Sequence, residues 1–590
     1  MCCLVLNFTS SGSASIRHKG FEWNAKNSDY SGYERINQTI TLKEQNNESE
    51  NSNYHKVEWS SKPADFDNFN LPLMVINTNG QTIPDEPRIV ADMGLIYNGE
   101  GKINRQTDSW NEYSGKISIE RRGESSSGFK KKSYSIELQK EDGTNNNVSI
   151  LNLPIENDFV LYGPYSDKTL IKNVLSYELF RRTGRWSPRT RYIELILNNE
   201  YRGIYVLTEK LKRDDNRVDI DKLDENDVSH QEISGGYILR RDKKGKLTFD
   251  EYWTSPVEQP YHERMWYEYY DPKYDELTLD QQEYIKNWME DFDNVMSGNN
   301  FKDPVQGYAK YIRVNSFIDM MFLNEISKGI DNYMFSTYFF KENDEDGGLL
   351  NAGPPWDYNI GYGNVNYGDD WNASSPEGWG YPQGSRTYWF ERLMEDADYR
   401  EKVYCRWTNY RKSIFSDEEI EGVIDSCVSV LGEAVTRNFE KYPILGEYYW
   451  PAIYWPETYE EEVYNLKAWL FDRLNWIDSE WFEVVDCSKI IDNSALPEHI
   501  AEKKVNVYPN PSDFSNLTFE IKTSGILDGF VIEIYDLYGK IIARKESGPI
   551  NDDKLLLHFT NLYYLESGFY IYKIYNSHQI IDVGKLNKVH

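Results

Sequence analysis

Two aspartates, Asp331 in KGIDNYMFSTYFFK (328–341) and Asp357 in GPPWDYNIGYGN (353–364), stand 26 positions apart. An Asp at a helix exit, an aromatic strand, a turn through KENDEDGG, then an Asp at a strand end before Asn359 and a glycine turn suits phosphoryl transfer. One carboxylate would orient an attacking hydroxyl and the other would hold a metal bridging phosphates. The same pair could instead flank a sugar as the acid and base of a glycosidase, which abundant Trp and Tyr would suit. The plainest alternative is two capping aspartates.

A second group surrounds RRGESSSGFKKKSYSIEL (121–138), where Gly123, Ser125 and Ser126 lie in a turn between strands flanked by five basic residues. Backbone N–H groups and hydroxyls in such a turn can cradle phosphate, although the spacing matches no glycine-rich nucleotide motif. Strand alternation puts Lys132 on the face of Tyr134, Ile136 and Leu138 and Lys131 on the opposite one. A lysine on an apolar face needs a phosphate or carboxylate partner. Glu178, in SDKTLIKNVLSYELFRRTGRWSPRTR (166–191), could pair with such a lysine or be a solvated helix residue. Arg181, Arg182, Arg185, Arg189 and Arg191 form a second basic cluster, a pattern that is also that of an ordinary wet face.

The elements that must position these groups follow from periodicity. LPLMVINT (71–78), GKISIERRG (115–123), KSYSIEL (132–138) and YIELILNNEYRGIYVLTEK (192–210) predict strands and hairpins. TLIKNVLSYELFRR predicts the first helix, with Leu170, Val174, Leu175 and Leu179 on one face. From about 280 to 480 the pattern is mostly helical. Strands first and helices after imply an α+β domain of two lobes. Residues 1–68 carry no apolar period and predict a polar extension, 488–503 a linker, and 504–590 a small all-β sandwich.

The chain has 590 residues and a net charge of −31, which argues against a nucleic-acid binder held by phosphate contacts. Hydrophobic residues are 39% and aromatic residues 15%, enough to build real cores. No apolar run is long enough for a transmembrane helix. Cys2, Cys3, Cys405, Cys427 and Cys487 include no C-x-x-C pair, which argues against structural zinc, and so odd and sparse a set argues against a disulfide framework. The histidines show no H-E-x-x-H spacing and no G-x-S-x-G occurs, so a metallohydrolase or serine hydrolase is not expected.

The run 166–220, with RRGESSSGFKKKSYSIEL before it and GPPWDYNIGYGN after it, resembles the CotH family of spore-coat protein kinases over roughly 69–487, in a form that looks like the Bacteroidetes branch. The resemblance implies an atypical protein-kinase-like fold using ATP and Mg²⁺ or Mn²⁺ to phosphorylate Ser or Thr of exported proteins. Asp331 then matches the catalytic aspartate and Asp357 the metal-binding one. Lys132 matches the phosphate-holding lysine, with Lys131 as the fallback and Glu178 as its partner. Ser336 and Asn359 stand where stronger metal ligands are usual, which leaves open an inactive surface module that binds protein or glycan.

VNVYPNPSDFSNLTFEI, IEIYDLYGKII, LESGFYIYKI and VGKLNK resemble the type IX secretion sorting domain, an immunoglobulin-like sandwich read by an outer-membrane translocon. The expected location is therefore secreted or cell-surface. MCCLVLNFTSSGSA lacks a secretory apolar core, so the expectation is a natural start upstream of Met1.

Overall fold

The computed structural model describes residues 65–123, 125–245, 247–258, 264–368, 372–383, 387–481 and 487, with short segments at both ends of the chain. Those segments are strands within 7–26 and strands and adjoining residues within 505–588. The predicted linker, 488–503, lies outside the described residues.

Residues Met1–Pro63 form a compact unit of their own. In it β1 (Asn7–Phe8), β2 (Ser13–His18) and β3 (Phe21–Lys26) pair antiparallel in the order β1-β2-β3. The sequence reading expected a polar extension there, because the alternation of Phe21, Trp23 and Ala25 in β3 is confined to one short strand in a stretch rich in Asn, Ser, Glu and Lys.

The unit Ala64–His590 begins with seven strands: β4 (Leu73–Asn77), β5 (Ile89–Ile96), β6 (Tyr113–Arg122), β7 (Ser133–Gln139), β8 (Asp158–Tyr162), β9 (Thr190–Leu197) and β10 (Glu200–Glu209). They close into a barrel in the order β10-β8-β7-β6-β5-β4-β9. Alternation explains the core: Met74 and Ile76, Ile117 and Ile119, Ile136 and Leu138, and Ile193 and Leu195 pack into one buried cluster, since residues i and i+2 share a strand face. Closure depends on the one parallel pairing, β4 with β9, in which Leu73 faces Glu194.

The helix α1 (Lys172–Arg182) lies between β8 and β9. Leu170 precedes it with φ 63°, so the predicted apolar face is carried by Leu175 and Leu179 without Leu170. A second sheet follows in the order β12-β13-β11-β14-β15. Its strands are β11 (Tyr237–Arg241), β12 (Tyr252–Thr254), β13 (Trp266–Asp271), β14 (Thr337–Lys341) and β15 (Leu350–Ala352). The helices are α2 (Leu279–Ser297), α3 (Val314–Ser327), α4 (Trp389–Glu395), α5 (Ala397–Arg411), α6 (Asp417–Leu431), α7 (Ala434–Lys441) and α8 (Tyr459–Glu480). The mixed α and β content agrees with the α+β expectation.

Two buried ion pairs bind these layers. Arg437 of α7 grips Glu194 of β9 at 2.7 and 2.8 Å, and Arg473 of α8 reaches Glu325 of α3 at 2.8 Å. A disulfide joins Cys405 of α5 to Cys487, correcting the expectation from cysteine count. With a sequence separation of 82, no local spacing advertises the pair.

Toward the C-terminus, β16 (Val505–Tyr508), β17 (Asn516–Lys522) and β20 (Lys554–Thr560) form one sheet. The other contains β18 (Val531–Tyr535), β19 (Ile541–Glu546), β21 (Gly568–Tyr575) and β22 (Ile580–Lys588). Phe519 and Phe559 from the first sheet share a core with Ile534, Tyr572 and Leu586 from the second.

Candidate active site

The turn that precedes β7 is built on Gly123. Its φ of +96° is a left-handed conformation that strains any larger residue, and an added Cβ, 2.0 Å from Ser126 Oγ, would push that hydroxyl aside. A short 3₁₀ turn then spans Ser125–Gly128. Lys132 curls back over it, its Nζ donating to the Ser127 carbonyl at 2.6 Å.

Lys131 takes the opposite course from the one alternation predicted. β7 begins at Ser133, so its period does not extend back to either lysine. Lys131 is the buried one, donating to Asn438 Oδ1 of α7 at 2.8 Å. Its ammonium lies over the rings of Tyr205 and Tyr442 at 5.2 and 5.5 Å. Burial pushes its pKa well below the usual lysine value, against the opposing Glu194 carboxylate.

Asp167 seats α1, its carboxylate accepting from the Lys172 backbone N–H at 3.0 Å and the Thr169 N–H at 3.1 Å. Glu178 is held by Arg181 at 2.6 Å and Arg182 at 3.4 Å instead of by either candidate lysine. The cluster 181–191 is likewise engaged within the fold: Arg182 with Glu419, Arg185 with Asp319 and Arg189 with Glu209. Four of the five arginines are thus paired with carboxylates, and Arg191 donates to the Leu151 carbonyl at 2.8 Å.

Asp331 and Asp357 come together through their backbones. α3 ends at Ser327, and Lys328 takes the left-handed conformation, which places Asp331 four residues beyond the helix. The Ile330 N–H donates to the Ile360 carbonyl at 3.1 Å, and the Tyr362 N–H to the Ser327 carbonyl at 2.7 Å. The glycine turn is required where Gly363, at φ +76°, would drive a Cβ to 2.2 Å from the Trp469 ring.

Asp357 lies five residues past β15 rather than at its end. It holds φ +65°, a conformation costly for a non-glycine residue and concentrated at functional positions. Its N–H donates to the Tyr177 hydroxyl at 3.2 Å. The side chain is solvent-accessible yet set among protein on several sides. Burial pushes its carboxyl up to about 6, the charges of Asp331 and Asp242 push the same way, and Arg122 and Lys243 oppose them.

Three of those neighbours, Arg122, Asp242 and Lys243, were not singled out from sequence. Arg122 ends β6, one residue before Gly123, and its guanidinium lies 5.2 Å from the Trp356 ring centre. That contact ties the 121–128 turn to the Asp357 segment. Asp242 and Lys243 directly follow β11, and Lys243 lies 5.4 Å from the Phe335 ring centre. The run RRDKKG after a strand was the available signal. Ser336 has φ +48°, and it and Asn359 are partly exposed.

Carboxylate oxygens suit a hard divalent cation, which would also relieve the repulsion between Asp331 and Asp357. Among the described residues no three His, Cys, Asp or Glu side chains converge as a metal-binding group. Such an ion would therefore draw the rest of its shell from phosphate oxygens and water, as Mg²⁺ commonly does. A separate cavity of about 450 Å³, lined by residues including Asp221, Asp227 and Glu345, contains none of the candidate residues in its lining.

Residues 119–477, more than half of the chain, match the family model described as CotH kinase protein. Residues 506–586 match the secretion system C-terminal sorting domain. No curated protein matches the chain.

Proposed function

The chain belongs to the CotH kinase protein family, and from that membership we propose that it is an exported phosphotransferase moving the γ-phosphoryl group of ATP to Ser or Thr of proteins outside the cytoplasm. The type IX sorting domain makes it a secreted or cell-surface protein, delivered through that system's translocon. The Cys405–Cys487 disulfide accords with an oxidising compartment. In this reading the barrel and the helical part are the two lobes of an atypical kinase-like domain over 69–487. The tail is an immunoglobulin-like sandwich over 504–590.

The observation that carries the reading is the backbone clamp between the Asp331 and Asp357 segments, the Ile330 N–H on the Ile360 carbonyl at 3.1 Å and the Tyr362 N–H on the Ser327 carbonyl at 2.7 Å, with Arg122 of the 121–128 turn 5.2 Å from the Trp356 ring centre beside it. Asp331 orients the acceptor hydroxyl and takes up its proton. Asp357 holds Mg²⁺ or Mn²⁺, with Ser336 and Asn359 as weaker neighbouring donors. Bound metal supplies charge neutralisation across the phosphates. Gly123, Ser125 and Ser126 present the turn over the phosphates, and Lys132 neutralises their charge. Lys131 and Glu178 support the turn and α1 from the positions described above.

The full-length protein, incubated with labelled ATP, Mg²⁺ or Mn²⁺ and a mixed Ser/Thr acceptor such as casein, should incorporate label. Asp357→Asn and Asp331→Asn should each lower the rate by about 100-fold or more, the scale of losing an electrostatic or acid–base catalytic group. Equal labelling by wild type and variants would remove the assignment. Ser336 and Asn359 favour a second reading, a non-catalytic surface module, which predicts no label together with unaltered ligand binding in both variants.

A further inference from the structure

We propose that Asn173 and Tyr177 of α1 are positioning residues that aim the Asp357 carboxylate at its cation. One face of α1 runs a row of hydrogen bonds along the segment that carries Asp357. The Tyr177 hydroxyl accepts from the Asp357 N–H at 3.2 Å, and Asn173 Oδ1 accepts from the Tyr358 N–H at 2.7 Å. Ser176 Oγ and the Tyr362 hydroxyl share a hydrogen bond of 2.5 Å, and Lys172 Nζ donates to the Gly361 carbonyl at 3.0 Å. The Tyr177 ring also stacks on that of Trp356, their centres 6.1 Å apart.

The spacing of these four side chains, i, i+1, i+4 and i+5, puts them on one side of the helix, and all four are buried. Buried polar groups are costly unless each finds a partner. A helix with no task beyond packing would present aliphatic residues at these positions. Here three of the four partners are backbone groups of residues 357–361, so the polar face of α1 is matched to the course of the main chain through Asp357.

The Asp357 N–H belongs to the peptide unit before its Cα, and the Tyr358 N–H to the unit after it. Because each unit is planar, holding both fixes φ and ψ of Asp357, and with them the direction of its Cβ. The constraint is needed, since Asp357 holds φ +65° and a strained value persists only where the surroundings over-determine it. α1 is tied in turn to the barrel, the Tyr192 hydroxyl of β9 donating to the Leu170 carbonyl just ahead of the helix at 3.1 Å. The Ser187 hydroxyl donates to the Tyr177 carbonyl at 2.8 Å. On its other side the Asp357 segment is tied to the end of α3 through Ser327 and Tyr362. Asp357 therefore stands between a helix held by the barrel and the loop of Asp331, and its aim follows α1.

This inference rests on the phosphotransferase reading, through the metal role of Asp357, and the two fail separately. Titration calorimetry on the full-length protein would follow a non-hydrolysable ATP analogue in Mg²⁺ and in EDTA. Wild type should bind at least about tenfold more tightly in Mg²⁺, the gain from a carboxylate-held cation on the phosphates. Tyr177→Phe and Asn173→Ala should each cut that gain about fivefold, the scale of one hydrogen bond, and leave the affinity in EDTA unchanged. Added to Asp357→Asn, Tyr177→Phe should remove nothing more. Thr183→Ala deletes a different α1 hydrogen bond, from Thr183 Oγ1 to the Phe180 carbonyl at 2.7 Å, and should keep the full gain. An undiminished gain in both Tyr177→Phe and Asn173→Ala, an equal loss in Thr183→Ala, or a further loss on top of Asp357→Asn would overturn the positioning role. Wild-type binding that Mg²⁺ leaves unchanged would overturn it together with the metal role of Asp357. A gain lost as expected in a protein that transfers no label to casein would overturn the kinase reading alone.

Discussion

At the scale of single residues, the two adjacent lysines have diverged into different jobs. Lys131 is an interior strut between two tyrosine rings, and its buried ammonium is held against a desolvation cost. Lys131→Met removes that cost, while Asn438 Oδ1 keeps the Ile204 N–H at 3.2 Å. Apolar replacement of buried charge is often neutral or stabilising, so thermal melts should show the variant unfolding at or above the wild-type temperature. Lys132→Met frees the 125–128 turn instead. It should weaken ATP several-fold by titration calorimetry and leave the melting temperature unchanged. The sequence made the reverse assignment of burial because alternation was extended two residues upstream of a strand that starts at Ser133. The aspartates were easier: Asp331 and Asp357 each sit beside glycine and aromatic punctuation that marks a turn. Arg122, Asp242 and Lys243 reach Asp357 through the folding of separate loops, and no local period encodes that meeting.

At the scale of elements, α8 couples the helical region to the site. Glu462 near its start is buried close to Lys168, 3.9 Å away, and burial raises its carboxyl from 4.5 to about 7, with Lys168 and Lys172 opposing. A folded pKa above the unfolded one means that the native state retains a proton the unfolded chain has released. Stability from this group is present at low pH and is lost as pH rises from 4.5 to about 7. Glu462→Gln should lack that loss. Urea unfolding at several pH values should therefore show the variant gaining on wild type by on the order of 1–3 kcal/mol across the window. Further along the same helix, Arg473 donates to the carbonyls of Glu325, Pro376 and Gly378 at 2.7 Å each. Glu325 in turn accepts from the Tyr333 hydroxyl at 2.8 Å, two residues past Asp331. Arg473→Ala strands a buried carboxylate and should cost about 3–5 kcal/mol in denaturant unfolding. Phosphotransfer should fall with it as Tyr333 loosens.

For the whole molecule, strand positions in the barrel were legible because β4, β6, β7, β9 and β10 each bury alternate apolar residues. Its closure was not, since the β4–β9 pairing joins Leu73 to Glu194 across most of the barrel's length. The disulfide was hidden for the same reason of separation. By chain-entropy reasoning a cross-link at a sequence separation of 82 restricts the unfolded chain by about 4.5 kcal/mol. Urea midpoints with and without reductant, and for Cys405→Ser with Cys487→Ser, should fall together toward a common lower value.

That cross-link has a mechanical side as well. Cys487 follows α8 and precedes the sorting domain, so a pull on the tail would pass through sulfur to α5. The last turns of α8 would then be bypassed, and Arg473, on which the Asp331 loop leans through Glu325 and Tyr333, would be shielded from the pull.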